Sequence, residues 1–302
     1  MSLLLFLFTL GPLTAGQRIA VEPFVPISVW YPPSADVDGL KRDFVIIRRA
    51  GFNAVTTWVT WRDGEPRRGA YNLLNLDRMI AVANEAALKV QVEVYTEPEP
   101  SWKTGGTNAL AAEFYEYVRR RVGMNPAVFT VVRSGTAPPD ETRRAAVGRG
   151  AGSLTPRQGR KALWSAIARG SRGFGFVDPD GPVSPDVLAL GETVGVITRN
   201  AALFAPLEPR RLREGDVTVS ERGRISVHVL ESADAFVIIG INHATDVRKV
   251  TITFPPEIPE AIWQNMEEGV AVQFVMGSKG PSLEHTFAPE DVLVLAIRKK
   301  LR

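Results

Sequence analysis

The stretch from Gly51 to Val90, GFNAVTTWVTWRDGEPRRGAYNLLNLDRMIAVANEAALKV, decides the fold. Its first part, "FNAVTTWVTW", is rich in β-branched and aromatic residues and reads as a strand. "LLNLDRMIAVANEAAL" then repeats apolar residues at helical spacing. The closing "KV" opens "KVQVEVY", in which apolar and polar residues alternate as in a second strand. Two strands joined through a helix of this length pair in parallel.

Working outward, the alternation continues on both sides. "FVPISVWY", from Phe24, reads as a strand, and residues 37–50 place Val37, Leu40, Phe44 and Ile47 on one helical stripe that Gly51 ends. Residues 107–122 form another helix, and "AVFTVV" after Pro126 a fourth strand. Residues 134–154 are rich in Gly, Pro and Arg, have no period, and read as a loop. "TPRQGRKALWSAIARG" then starts with a capping box, Thr155 and Gln158, around Pro156. "RGFGFVD" is a further strand, and a helix over 185–204 is capped by Ser184. From about Gly215 short strands follow one another: "RISVHVLE", "AFVIIGIN", "RKVTITF", "VAVQFV" and "DVLVLAIRK". That spacing implies an antiparallel β-sandwich, with "LEPRRLREG" as the junction.

Composition narrows the chemistry. The chain has 302 residues, 45% of them hydrophobic, and a net charge of only +3. It has no cysteine, which excludes disulfides, thiolate zinc sites and cysteine nucleophiles. His228, His243 and His285 are scattered through strand-like sequence and suggest neither a metal centre nor a catalytic triad, so no metal or organic cofactor is expected. The arginines near 119–121 and 143–149 have no aromatic residues interleaved, so they read as solvated helix ends and no nucleic-acid partner is expected. "SLLLFLFTLGPLTAG", residues 2–16, is too short to span a bilayer as a helix and reads as the apolar region of a signal peptide. The expectation is an exported protein, extracellular or periplasmic; without such a leader it would be cytoplasmic.

The segment 51–90 resembles the second βα unit of clan A glycoside hydrolases, most closely family 42 β-galactosidases. The likeness rests on the turn Trp61, Glu65, Pro66, Gly69 and Tyr71, between a strand and a helix, followed by "LKV". "FVPISVWYPPS" resembles the first barrel strand of that group, "PAVFTVV" its fourth, and "GRKALWSAIARGSRGFGFV" its last helix and eighth strand. The resemblance implies a retaining enzyme that cleaves β-linked sugars with a pair of carboxylates. Three departures stand beside it. The general acid/base expected at the end of the fourth strand is replaced by Gly135 and Thr136. Thr56 stands where the family's second strand carries an arginine. Only 189 residues run from Phe24 to Leu212, whereas a complete barrel takes about 250.

The expected architecture is therefore α/β: an incomplete TIM-type barrel of about five parallel strands with helices, then a C-terminal antiparallel β-sandwich. The expected limits are 1–16 for the signal peptide, 17–213 for the shortened barrel and 214–302 for the sandwich. Open sheet edges invite pairing, so a homo-oligomer that closes the barrel is expected.

"VQVEVYTEPEPSW", residues 90–102, holds the candidate carboxylates. Val90, Val92 and Val94 share one strand parity and face the helices; Gln91, Glu93, Tyr95 and Glu97 share the other and face the interior. A carboxylate set in an apolar wall suits a general acid, and pairing with a buried arginine is the structural alternative for Glu93. Glu97 falls at the C-terminal rim, where barrel enzymes keep their active sites, while Glu99 is turned to solvent. Glu65 belongs to the turn and reads as structural. Glu141 (with Asp140) and Asp178 complete the candidate catalytic set. Trp30, Tyr31, Trp58, Trp61, Tyr95 and Trp102, at or beyond strand ends, are candidates for stacking on sugar rings, with Arg133 beside them. The rival expectation is a carbohydrate-binding or assembly protein that has lost the catalytic pair.

Overall fold

The computed structural model describes residues 23–105, 109–134, 155–171, 173–176, 181–213, 216–221, 223–258 and 262–299. The first part of the chain runs β1 (Ile27–Trp30), α1 (Val37–Arg49), β2 (Ala54–Thr60), α2 (Trp61–Gly64), α3 (Leu74–Glu85), β3 (Lys89–Tyr95), α4 (Ala109–Val122), β4 (Val128–Ser134), α5 (Pro156–Ala168), β5 (Phe174–Phe176), α6 (Pro185–Ala189), α7 (Gly191–Arg199) and α8 (Ala201–Phe204). Its five strands form one parallel sheet in the order β4-β3-β2-β1-β5. The order identifies the architecture. β5 is last in sequence yet pairs with β1, as the eighth strand of a closed barrel does with the first. The sheet is thus an incomplete TIM-type barrel.

Sequence explains these elements one by one. Asp36 caps α1 by accepting from the Gly39 amide, and Leu40, Phe44 and Ile47 on its stripe are fully buried. Burial of each such side chain stabilises the fold by about 1.5–3 kcal/mol. Thr155 and Gln158 form the expected capping box on α5. The continuous helix expected over 185–204 is instead broken at Leu190 and Asn200. Gly191 and Gly195 let α7 press against the Ala50–Gly51 turn: a Cβ on Gly191 would stand 2.3 Å from the Ala50 carbonyl oxygen. That close approach, and the Asn200 side chain donating to the Val196 carbonyl, fix the breaks.

The second part comprises β6 (Glu208–Pro209), β7 (Thr218–Val219), β8 (Ile225–Glu231), β9 (Ala235–Asn242), β10 (Arg248–Thr253), β11 (Ile262–Asn265), β12 (Ala271–Gln273), β13 (Val275–Gly277), β14 (Gly280–Phe287) and β15 (Val292–Arg298). They make a six-stranded sheet, β12-β11-β15-β9-β8-β6, and a four-stranded one, β13-β14-β10-β7, with antiparallel pairing. "VAVQFV" is not one strand. Its Phe274 is buried between Phe254 and Trp263, ring centroids 5.2 and 5.1 Å away, and the chain changes sheet there.

The sandwich has its own core between its sheets, and the barrel core reaches onto the sandwich as well. Leu230, Val237, Ile239, Ile241, Val292 and Val294, on the outer face of the six-stranded sheet, belong to the same buried cluster as Leu163, Trp164 and Ile167 of α5. A polar latch reinforces that seam. Glu267 accepts from Arg160 Nε at 2.9 Å, Trp164 Nε1 at 3.0 Å and Thr193 Oγ1 at 3.2 Å. Arg160 also reaches Asp291 Oδ1 at 2.9 Å and the Val292 carbonyl at 2.6 Å. Burial works against the Arg160 charge, but the bonds and fields of Glu267 and then Asp291 outweigh it and raise its pKa.

Candidate functional site

Strand parity builds the site. Ser28 and Trp30 of β1, Thr56, Trp58 and Thr60 of β2, Gln91, Glu93 and Tyr95 of β3, and Thr130, Val132 and Ser134 of β4 stand in register on the inner face. Val90, Val92 and Val94 are fully buried on the other face, against the helices, as their pattern requires. The inner face is a trough open only in part: Trp30, Trp58, Gln91 and Glu93 are half-buried and Val132 is 41% exposed, whereas Ser28, Thr56, Thr60 and Tyr95 are buried. At the end where the strands begin, Phe24 meets Phe129 edge-on, centroids 5.4 Å apart, and forms a floor. Trp30 and Trp58 lie side by side at 5.8 Å. Gly175 of β5 makes room for Trp30, since a Cβ there would sit 3.1 Å from the indole nitrogen.

Glu93 is the centre of this face. Its neighbours across the strands are Trp58 and Val132. Tyr95 donates its hydroxyl to Glu93 Oε2 at 2.6 Å, and Gln91 Nε2 donates to Oε1 at 3.1 Å. The wall around Glu93 is thus mixed, and among the described residues its hydrogen-bond partners are two neutral donors instead of an arginine. Burial, then the hydrogen bond and charge of Glu93, push the Tyr95 phenol well above its ordinary pKa, with Ser134 acting weakly the other way. Tyr95 therefore stays a proton donor to Glu93. With both oxygens accepting, the carboxylate is oriented as a nucleophile or a stabiliser of positive charge would be, and not as a proton donor.

The other candidates are placed differently. Tyr31 is 7% exposed, packs edge-on against Phe44 and donates to Asp43 Oδ2 at 2.7 Å, so it faces the helices. Burial, then Asp43, raises its pKa. Trp61 is fully buried, stacked with Phe114, and donates to Glu65 Oε2 at 2.8 Å. Trp102 donates to the Glu65 carbonyl at 2.7 Å and meets Trp61 edge-on. These three aromatics support the turns above the sheet, with no face on the trough for Tyr31 or Trp61. Glu65 is the hub of that support, 2% exposed and also accepting from the Gly69 amide at 2.7 Å. Arg133 lies in register with Val94 and so stands on the face opposite Glu93. Glu97 is exposed beyond the end of β3, and Glu99 pairs with Lys103. Glu141, Asp140 and Asp178 lie outside the described residues, as do Gly135 and Thr136.

Missed in the sequence reading is Gln91 as a partner of Glu93; Thr56, noted there only as a departure from the family pattern, hydrogen-bonds Ser28 at 2.8 Å across the inner face. A cavity of about 850 Å³ lies elsewhere, among Arg49, Arg157, Arg160, Arg199, Glu192 and Glu267, and shares no residue with the trough. Among the described residues no group of three or more His, Cys, Asp or Glu is placed to hold a metal ion, and no helix is long and apolar enough to cross a membrane.

Comparison with known proteins bears on the fold. The chain resembles a family 39 glycoside hydrolase from Bacteroides cellulosilyticus WH2, at 11% identity over 90% of this chain and 81% of that one, TM-score 0.56. It also resembles a noncanonic maltogenic α-amylase from Thermotoga neapolitana (13% identity, 91% and 99% covered, TM-score 0.55). A third is a putative α-galactosidase/melibiase from Bacteroides fragilis NCTC 9343 (12% identity, 90% and 79% covered, TM-score 0.54). No curated protein matches the chain. The fold these likenesses show is a TIM-type barrel, here incomplete, followed by a C-terminal sandwich. The family 42 β-galactosidase model matches residues 29–120, from β1 into α4.

Proposed function

We propose that the protein is a glycosidase acting on β-linked sugars, which bind on the inner face of the barrel sheet. The carrying observation is Glu93, half-buried beside Trp58 and held on both oxygens by Gln91 and Tyr95. Trp30 and Trp58 offer flat apolar faces of the kind that suit sugar rings. In this reading Glu93 is the nucleophile or charge stabiliser of a retaining mechanism. Proton transfer to the leaving oxygen falls to Glu97, Glu141 or Asp178. The barrel unit of 17–213, the sandwich of 214–302, export by the segment 1–16 and a homo-oligomer across the open edges belong to the same reading.

The test is a panel of nitrophenyl β-glycosides with wild type, Glu93→Gln, Glu97→Gln, Glu141→Gln and Asp178→Asn. Loss of release in Glu93→Gln and in one other variant names the pair. Unchanged release in Glu93→Gln overturns its role.

A second reading is a sugar-binding or assembly protein without turnover. Two observations favour it. In sequence, Gly135 and Thr136 stand where the family resemblance implies the acid/base, and Glu93 is the only carboxylate on the inner face among the described residues of the five strands. Sugar binding with no release from any glycoside supports that reading.

A further inference from the structure

We infer that the trough recognises a cationic sugar, a β-linked unit carrying a protonated amine. The inference concerns the ligand of the site just proposed, whether or not that site turns it over. It rests on a carboxylate with no cationic partner among the described residues, beside an aromatic pair. Among the described residues, the inner-face positions between the floor and the rim are Ser28, Thr56, Thr60, Gln91, Tyr95, Thr130, Val132, Ser134 and Gly175, the two tryptophans and Glu93. Glu93 alone of these is charged. Its hydrogen bonds come from neutral donors, a phenol and an amide. Arg133 is on the opposite face. Lys89 shares the parity of Glu93, but it lies four residues away, about 13 Å along the strand, and its ammonium donates to the Pro126 carbonyl at 2.8 Å.

A half-buried carboxylate without a counter-ion loses hydration that two neutral hydrogen bonds only partly replace. A ligand cation supplies the missing partner. It is further favoured by the faces of tryptophans, which attract cations through the ring quadrupole. Trp58 is the cross-strand neighbour of Glu93, and Trp30 lies 5.8 Å from Trp58. An ammonium on a sugar ring can meet the carboxylate while the ring lies along the indoles. A neutral sugar uses the aromatic faces but leaves the charge unpaired. An N-acetylated sugar has no cation to offer.

The test is isothermal titration with three β-1,4-linked tetramers, of glucosamine, N-acetylglucosamine and glucose, at a pH where the amine is protonated. The glucosamine tetramer is expected to bind at least about ten-fold more tightly than either of the others, and the preference to shrink as salt rises. In Glu93→Gln, with its folding verified by circular dichroism, the three affinities converge. Equal affinities in the wild type, no binding of the glucosamine tetramer, or a preference that survives Glu93→Gln each overturn the inference. The outcome is separable from that of the glycosidase reading. Cationic preference without release from any glycoside refutes turnover alone, and release from neutral glycosides without cationic preference refutes this inference alone.

Discussion

Glu267 offers a sharp test of how the barrel and the sandwich are joined. The side chain is 14% exposed and that of Arg160 is 26%, so their pairing is shielded from solvent. Glu267→Ala removes one charged acceptor and strands three donors: Arg160, Trp164 and Thr193. Breaking a buried pair by removing one partner costs about 3–5 kcal/mol. Arg160 keeps Asp291 and the Val292 carbonyl, which puts the expected loss near the low end, about 3 kcal/mol. In a chain of this size that lowers Tm by about 5 °C. Glu267→Gln keeps the shape and an acceptor for Trp164 and Thr193, and should cost about 1–2 kcal/mol. Urea unfolding followed by tryptophan fluorescence measures both, and Trp164, fully buried at the seam, reports directly. A double-mutant cycle with Arg160→Ala isolates the pair, with an expected coupling of about 1–3 kcal/mol. A loss below about 1 kcal/mol in Glu267→Ala, or no coupling to Arg160, would refute the latch.

Two further outcomes follow from the geometry. Ser226 Oγ lies 2.8 Å from His243 Nε2 and 3.3 Å from His228 Nε2, beside the seam. Burial, then His243 and Arg169, lowers the His228 pKa, and burial, then Lys161, lowers that of His243; Lys161 itself pairs with Glu290. The unfolded chain takes up these protons first, so stability is complete above about pH 6.5 and falls as pH drops below it. The drop between pH 7 and 5.5 in urea midpoint should shrink in the His228→Gln/His243→Gln double variant; an identical drop refutes the assignment. Glu65→Ala leaves the Trp61 indole N–H and the Gly69 amide without their acceptor. It should cost about 2–3 kcal/mol and shift Trp61 emission to the red, and an unchanged spectrum and midpoint count against the hub.

The barrel part was legible because its strands and helices differ in period and its caps are strong, as Thr155 and Ser184 show. Parity in "KVQVEVY" correctly sent Glu93 and Tyr95 to the inner face. The same rule, applied to β1 and β2, separates Trp30 and Trp58 from Tyr31 and Trp61, which share parity with buried Val29 and Val59. Treating all the rim aromatics as one set obscured this. Arg133 fails by the same test, through its register with Val94. The hydrogen bond from Gln91 to Glu93 is an i, i+2 contact on one strand, which residue types alone do not announce. In the sandwich, β14 escaped notice because His285 interrupts its inward-facing Leu283 and Phe287. The break at Phe274 depends on partners from two other strands, so no local signal marks it.

The strand order has a consequence for how the chain comes together. β1 is hydrogen-bonded on one side to β2, where Ser28 faces Ala54, and on the other to β5, where Ile27 faces Phe174. Its first neighbour emerges from the ribosome a few dozen residues later, whereas its second waits for everything through α5. During that interval β1 is an outer strand of a growing sheet, and contacts so distant in sequence form slowly. The helix–strand pair of α5 and β5 therefore acts as a late clasp. A chain that stops short of Pro156 would leave β1 permanently half-paired, an edge open to other chains.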